Sequence, residues 1–125
     1  MCENWLNGFS TYSKSETMTH VQQLTTAYIT ATSTLKGRLI VPYQREGVVW
    51  MLDRELDNSR RFKGGFLCDE MGLGKTVQTI SLILGNPGLK TLIVVPKSII
   101  DQWFNEIARF APHLKTLVHD GPSRT

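Results

Sequence analysis

Cysteine is scarce in this 125-residue chain: there are 2, Cys2 and Cys68, far apart and without a Cys-x-x-Cys or Cys/His spacing. That excludes a disulfide framework and a zinc module such as a RING, and makes a reducing intracellular compartment the natural expectation. Long apolar runs are missing too. No segment approaches the roughly 18 residues of a membrane-spanning helix, and Met1 to Ser10 carries Glu3 where a signal sequence would be apolar, so a soluble chain is expected. Charge of one sign is weak. A formal net charge of +3 and a pI near 9.0 permit a nucleic-acid partner but are too mild to argue for one. His113 and His119 have no acid or serine at an informative spacing and read as surface or packing residues. No internal repeat is seen. What remains, 41% hydrophobic and 20% charged residues, is the composition of one globular domain with a real core, which excludes disorder throughout.

From Ser10 to Thr34 the chain is rich in Ser and Thr, and Tyr28-Ile29 is its one adjacent pair of large apolar groups. Residues 1–35 therefore read as an arm or linker, with a short strand at Ala27 to Thr30 equally open because Thr and Ile favour extended backbone. The character changes at Lys36-Gly37-Arg38, so 36–125 is the candidate domain. After Pro42, Tyr43, Val48, Met51, Leu52 and Leu56 recur at helical steps up to Asp57. Gly64-Gly65 then opens Phe66-Leu67-Cys68, which has the look of a buried strand. A helical pattern from Lys75 to Leu84 stops at Gly85-Asn86-Pro87-Gly88. Thr91 to Val95 is a β-branched run of the kind parallel sheets bury on both faces, Ser98 can cap a helix from Ile99 to Phe110, and Leu117-Val118 can begin another strand. Helices alternating with strands predict an α/β fold with parallel crossovers.

The segment Asp69-Glu70-Met71-Gly72-Leu73-Gly74-Lys75-Thr76 falls between a predicted strand and a predicted helix. A phosphate chain is met by several backbone N–H groups at once, which needs backbone without Cβ atoms at the tight points, here Gly72 and Gly74. The helix starting at Lys75 turns its positive dipole end to the anion, the Lys75 ammonium suits the β- and γ-phosphates, and the Thr76 hydroxyl suits Mg²⁺. The general pattern asks for Gly five residues before Gly74, where this chain has Asp69. The bland alternative is a glycine turn capping an ordinary helix with Lys75 in solvent; the order strand, Gly-x-Gly-Lys-Thr, helix favours phosphate.

These eight residues resemble motif I of the Swi/Snf family in helicase superfamily two, in which Asp is usual at the first position; Cys68 stands where a small Ala is common. Pro42-Tyr43-Gln44-Arg45-Glu46-Gly47-Val48-Val49-Trp50-Met51 resembles the glutamine motif of that family, which implies adenine recognition by Gln44; a polar residue on an exposed helix face is the plain alternative. Leu92-Ile93-Val94-Val95-Pro96-Lys97-Ser98, with Gln102-Trp103, resembles motif Ia, which implies DNA-backbone contacts by Pro96, Lys97 and Ser98. His119-Asp120-Gly121-Pro122-Ser123-Arg124 resembles the stretch that follows, and Trp50-Met51-Leu52-Asp53-Arg54-Glu55 is similar to the subgroup of the helicase-like transcription factor and the postreplication-repair translocases. The resemblance spans Leu39 to Thr125. It implies a RecA-like lobe, ATP and Mg²⁺ as cofactors, double-stranded DNA or chromatin as partner, and a nuclear setting. Trp50 and Trp103, amid apolar neighbours, read as core residues rather than stacking platforms, and Arg60-Arg61-Phe62-Lys63 reads as a solvated loop.

ATP hydrolysis in this superfamily needs an Asp-Glu-x-His carboxylate and arginines from a second lobe, and neither occurs in these 125 residues. The expectation is therefore an ATP-binding segment of a DNA-dependent ATPase cut before its acidic motif and inactive alone, with a non-hydrolysing nucleotide-binding remnant or a nonfunctional fragment as alternatives. In lobes of this resemblance further strands lie between the one feeding the phosphate loop and that of motif Ia. The apolar faces of Phe66 to Cys68 and Thr91 to Val95 are then expected to lie bare.

Overall fold

The computed structural model describes residues 18–88 and 90–121, so Cys2, the start of the arm and Pro122-Ser123-Arg124 lie outside the described residues. Its elements are α1 (His20–Thr34), α2 (Pro42–Leu56), α3 (Lys75–Gly85), a 3₁₀ turn (Lys97–Ile99) and α4 (Ile100–Phe110). No strand occurs among the described residues.

The α1 helix corrects the reading of this stretch as a linker or a short strand. Its start is built by a capping box: the Thr19 hydroxyl accepts from the Gln22 N–H at 3.3 Å and the Gln22 side chain accepts from the Thr19 N–H at 2.9 Å. Leu24, Ala27, Tyr28, Ala31 and Leu35 then recur at helical spacing and all turn to the core or pack against it. Small residues let α1 approach closely, and its threonines return their hydroxyls to the preceding turn, as Thr30 does to the Thr26 carbonyl at 2.8 Å. Burial also pushes the Tyr28 hydroxyl above its ordinary pKa, with the Arg45 guanidinium opposing it.

Pro42 starts α2 with the fixed φ of a first helical turn, and Val48, Met51 and Leu52 face inward. The third helix is the hub, touching α1, α2 and α4. Its Ile80 and Leu84 join Val48 and Leu52 in a core where Val48, Leu52 and Ile80 are wholly buried, each stabilising by about 1.5–3 kcal/mol. At its end Gly85 leaves no room for a side chain, since a Cβ would lie 2.9 Å from the Ala27 carbonyl oxygen and 2.9 Å from Leu52 Cδ2. The α4 helix turns Trp103, Ile107 and Phe110 to the same core, and the Phe110 carbonyl takes the Lys36 N–H at 2.7 Å, closing the chain around it.

The segments 66–68 and 91–95, read as strands that a complete sheet would bury, lie largely bare, as expected of apolar faces without their neighbouring strands. Leu67 and Ile93 pack against the core, whereas Phe66 is 91%, Leu92 86%, Val94 85% and Leu117 96% exposed. Side chains alternate inward and outward along 92–94 as in a strand, but nothing covers the outer face among the described residues. The helices supply one apolar layer, and a segment buried on both faces needs two. Trp50 is also nearer the edge than expected: it is 36% exposed, lies under the Arg54 guanidinium at 5.6 Å, and fits against Gly65. Arg60, read as solvated, is tied to Asp53 and Asp57 at 2.8 Å each, and His20 meets the same Asp53 at 2.8 Å. Hydrogen bonds from Ser59 hold the Asp57 carboxyl below its ordinary pKa, with Arg60 and His20 adding to the effect. No helix among the described residues is long and apolar enough to cross a membrane.

Candidate functional site

The loop 69–74 leaves the extended segment at Cys68 and enters α3 through Gly74. Gly72 and Gly74 have φ of 83° and 84°, the left-handed region that side chains rarely adopt. A Cβ on Gly72 would meet nothing within 4 Å, so its need for glycine is conformational. Gly74 needs glycine twice over, because a Cβ there would also strike the Gln44 amide nitrogen. As N-cap of α3 it offers no side-chain acceptor. The first-turn N–H groups of α3 therefore have no side-chain cap among the described residues, at the positive end of the helix dipole.

Lys75 and Thr76 are the first residues of that helix. The Lys75 ammonium folds back onto the loop and donates to the carbonyls of Asp69 at 2.6 Å and Glu70 at 2.8 Å. The Asp69 carboxylate accepts from the Gln78 side chain at 2.9 Å, while Glu70 and Met71 are exposed, Met71 at 95%. The Leu73 carbonyl accepts from Gln44 Nε2 at 3.2 Å, and Gln44 Oε1 accepts the Ile40 N–H at 3.0 Å. Gln44 is thus not on an exposed helix face. It is 9% exposed and joins the approach to α2 to the far end of the loop, with one amide hydrogen and one lone pair still to spare.

Pro96, Lys97 and Ser98 lie at a separate turn ahead of α4. The Lys97 ammonium is 80% exposed and pairs with Asp120 at 3.0 Å. Ser98 does not cap α4; it sits inside the 3₁₀ turn, where the Ile99 N–H reaches the Pro96 carbonyl at 3.1 Å, and the N-cap is Ile99 without a side-chain bond. The tighter turn consumes the position a capping serine would occupy. Sequence reasoning missed two residues of the site, Gln78 and Gly47. An interior glycine in α2 was the available signal, since it costs a helix about 1 kcal/mol and marks a close approach. Among the described residues no cluster of His, Cys, Asp and Glu could hold a metal ion by itself.

An extended segment running into a glycine loop and then an uncapped helix headed by Lys-Thr has the form of a phosphate-loop unit. Residues 43–125 match the SNF2-related domain model, and the chain belongs to that family of Swi/Snf-type ATPases in helicase superfamily two, whose domain is a RecA-like lobe. It is similar to the ATP-dependent helicase rhp16 of Schizosaccharomyces pombe, 55% identical over 54% of this chain and 8% of that one. The chain is also similar to the probable ATP-dependent DNA helicase CHR12 of Arabidopsis thaliana, 44% identical over 71% of this chain and 8% of the relative. Helicase SWR1 of Saccharomyces cerevisiae is 38% identical over 86% of this chain and 7% of its own length. The chain thus spans less than a tenth of these relatives. No solved structure matches it.

Proposed function

We propose that this chain binds ATP through the loop 69–76, as part of a DNA-dependent ATPase or translocase of chromatin-remodelling or DNA-repair type acting in the nucleus. The observation that carries the reading is the start of α3: uncapped N–H groups, two glycines in the left-handed region, and the Lys75 ammonium over the loop. Those groups fit a triphosphate. Lys75 keeps its two loop carbonyls and has a third N–H for the phosphate oxygens, Gly72 and Gly74 let backbone N–H groups approach, and the Thr76 hydroxyl is the ligand offered to Mg²⁺. When bound, Mg²⁺ neutralises phosphate charge. Asp69, Glu70, Met71 and Leu73 complete the loop, with Asp69 and Glu70 serving through their carbonyls. In the complete lobe the segments 66–68, 91–95 and 115–119 are parallel strands whose bare faces are covered by further strands and helices. The domain begins near residue 36, and the Trp50 to Glu55 stretch is of the postreplication-repair subgroup type.

Isothermal titration calorimetry of the chain with ATP and Mg²⁺ is expected to give saturable binding, and no binding at millimolar ATP would overturn the reading. Gln44 is proposed to contact adenine with its spare amide hydrogen and lone pair while it holds Leu73. Gln44→Ala is then expected to weaken ATP more than GTP, CTP or UTP. Equal losses for all four would restrict Gln44 to holding the loop.

Pro96, Lys97 and Ser98 are proposed to meet the DNA backbone, Lys97 exchanging Asp120 for a phosphate. Lys97→Ala should weaken DNA uniformly across sequences and lower the salt slope by about one unit. An unchanged slope, read by fluorescence anisotropy at several salt concentrations, would remove Lys97 from the interface.

A further inference from the structure

Gln78 is fully buried, yet its side chain is polar and only half satisfied. Its Nε2 donates to Asp69 Oδ2 at 2.9 Å, while Oε1 has no hydrogen-bond partner among the described residues. A buried amide oxygen without a donor is costly, and a leucine or methionine would fill the same space without that cost. Even so the fold makes room for the amide. Gly47, in the middle of α2, has no Cβ, and one placed there would collide with Gln78 Oε1. The helix glycine and the buried amide are two halves of one contact.

That contact acts on the loop. Asp69 is the first loop residue, and its carbonyl is one of the two that hold the Lys75 ammonium. Gln78 lies one turn into α3 and its own N–H makes a helical bond to the Gly74 carbonyl at 3.1 Å, so its position is set by the helix. The loop is consequently pinned at both ends by glutamine amides from the helical layer: Gln44 holds Leu73 and Gln78 holds Asp69. We infer that Gln78 is a positioning residue for the nucleoside triphosphate, one that touches no phosphate but sets the Asp69 end of the loop and through it the cation that meets the phosphates. The inference rests on the ATP-binding reading above.

The test is ATP affinity, by calorimetry on the 125-residue chain, for the unaltered protein, Gln78→Leu, Asp69→Ala and the double variant, with thermal midpoints alongside. Gln78→Leu is expected to lose about tenfold or more in affinity through misplacement of the loop. Its midpoint should not fall, because the orphaned oxygen goes with the amide. In the Asp69→Ala background the same substitution should change affinity little, since the group it acts through is gone. Should Gln78→Leu fail to fold, Gly47→Ala displaces the amide instead and should lower affinity likewise. Unaltered affinity in the Gln78 or Gly47 variant, or losses that simply add in the double variant, would overturn the inference while leaving ATP binding in place. No ATP binding by the unaltered chain would overturn both.

Discussion

Replacing Lys75 by alanine should weaken ATP binding by about a hundredfold, the scale on which removing one member of a hydrogen-bonded charge pair acts. The structure separates this effect from misfolding. Among the described residues the ammonium meets two carbonyl oxygens, of Asp69 and Glu70, charged-donor bonds worth roughly 1.5–3 kcal/mol each in net terms. The α3 helix keeps its other anchors: Gly74 at its start and Ile80, Leu84 and Gly85 in the core. Calorimetric titration should therefore show the loss of ATP affinity in a protein whose circular dichroism is unchanged. A variant that keeps ATP affinity within about threefold of the original would sink the assignment of Lys75 to the phosphates.

The second large effect concerns the bare face of the extended segments. Phe66, Leu92, Val94 and Leu117 are each more than four-fifths exposed, and burying each is worth about 1.5–3 kcal/mol. Their backbone has no strand partner among the described residues. Apolar extended edges of this kind pair with other chains. The 125-residue chain is expected to self-associate as its concentration rises and to bind a hydrophobic dye. Leu92→Lys with Val94→Lys should shift it strongly toward monomer and leave the helical signal intact, because both side chains point away from the core. Analytical ultracentrifugation over a concentration series decides the matter. A sharply monomeric unaltered chain would show that these residues find cover within the chain.

The parts of the fold read correctly from sequence were those with punctuation. Pro42 opens α2 where its fixed φ requires, and Gly74 and Gly85 bound α3. The loop was legible for the same reason, since glycine spacing and Lys-Thr are local. The α1 helix was not. Its buried positions are partly alanines and its surface is threonine, so composition argued for a linker, although the Thr19-to-Gln22 capping box and the spacing from Leu24 to Leu35 were present in the sequence. What pins the loop was beyond reach. The bonds from Gln44 to Leu73 and from Gln78 to Asp69 depend on how α2 and α3 pack, and no local rule foretells that a helical glutamine will be buried. The three expected strands show the converse. Their apolar and β-branched runs were readable, but burial on both faces depends on a second layer that the helices do not supply.

The tight fit at Gly85 has a mechanical consequence. With the Ala27 carbonyl and Leu52 against its last turn, α3 has no slack along its axis, and a push at the loop cannot drive it forward like a piston. Movement of the loop is then expected at Gly72, which has open space around it and the conformational range of glycine. The helix is expected to act as a fixed post and Gly72 as the hinge beside it, so that a ligand's arrival is absorbed within a few residues instead of being passed into α1.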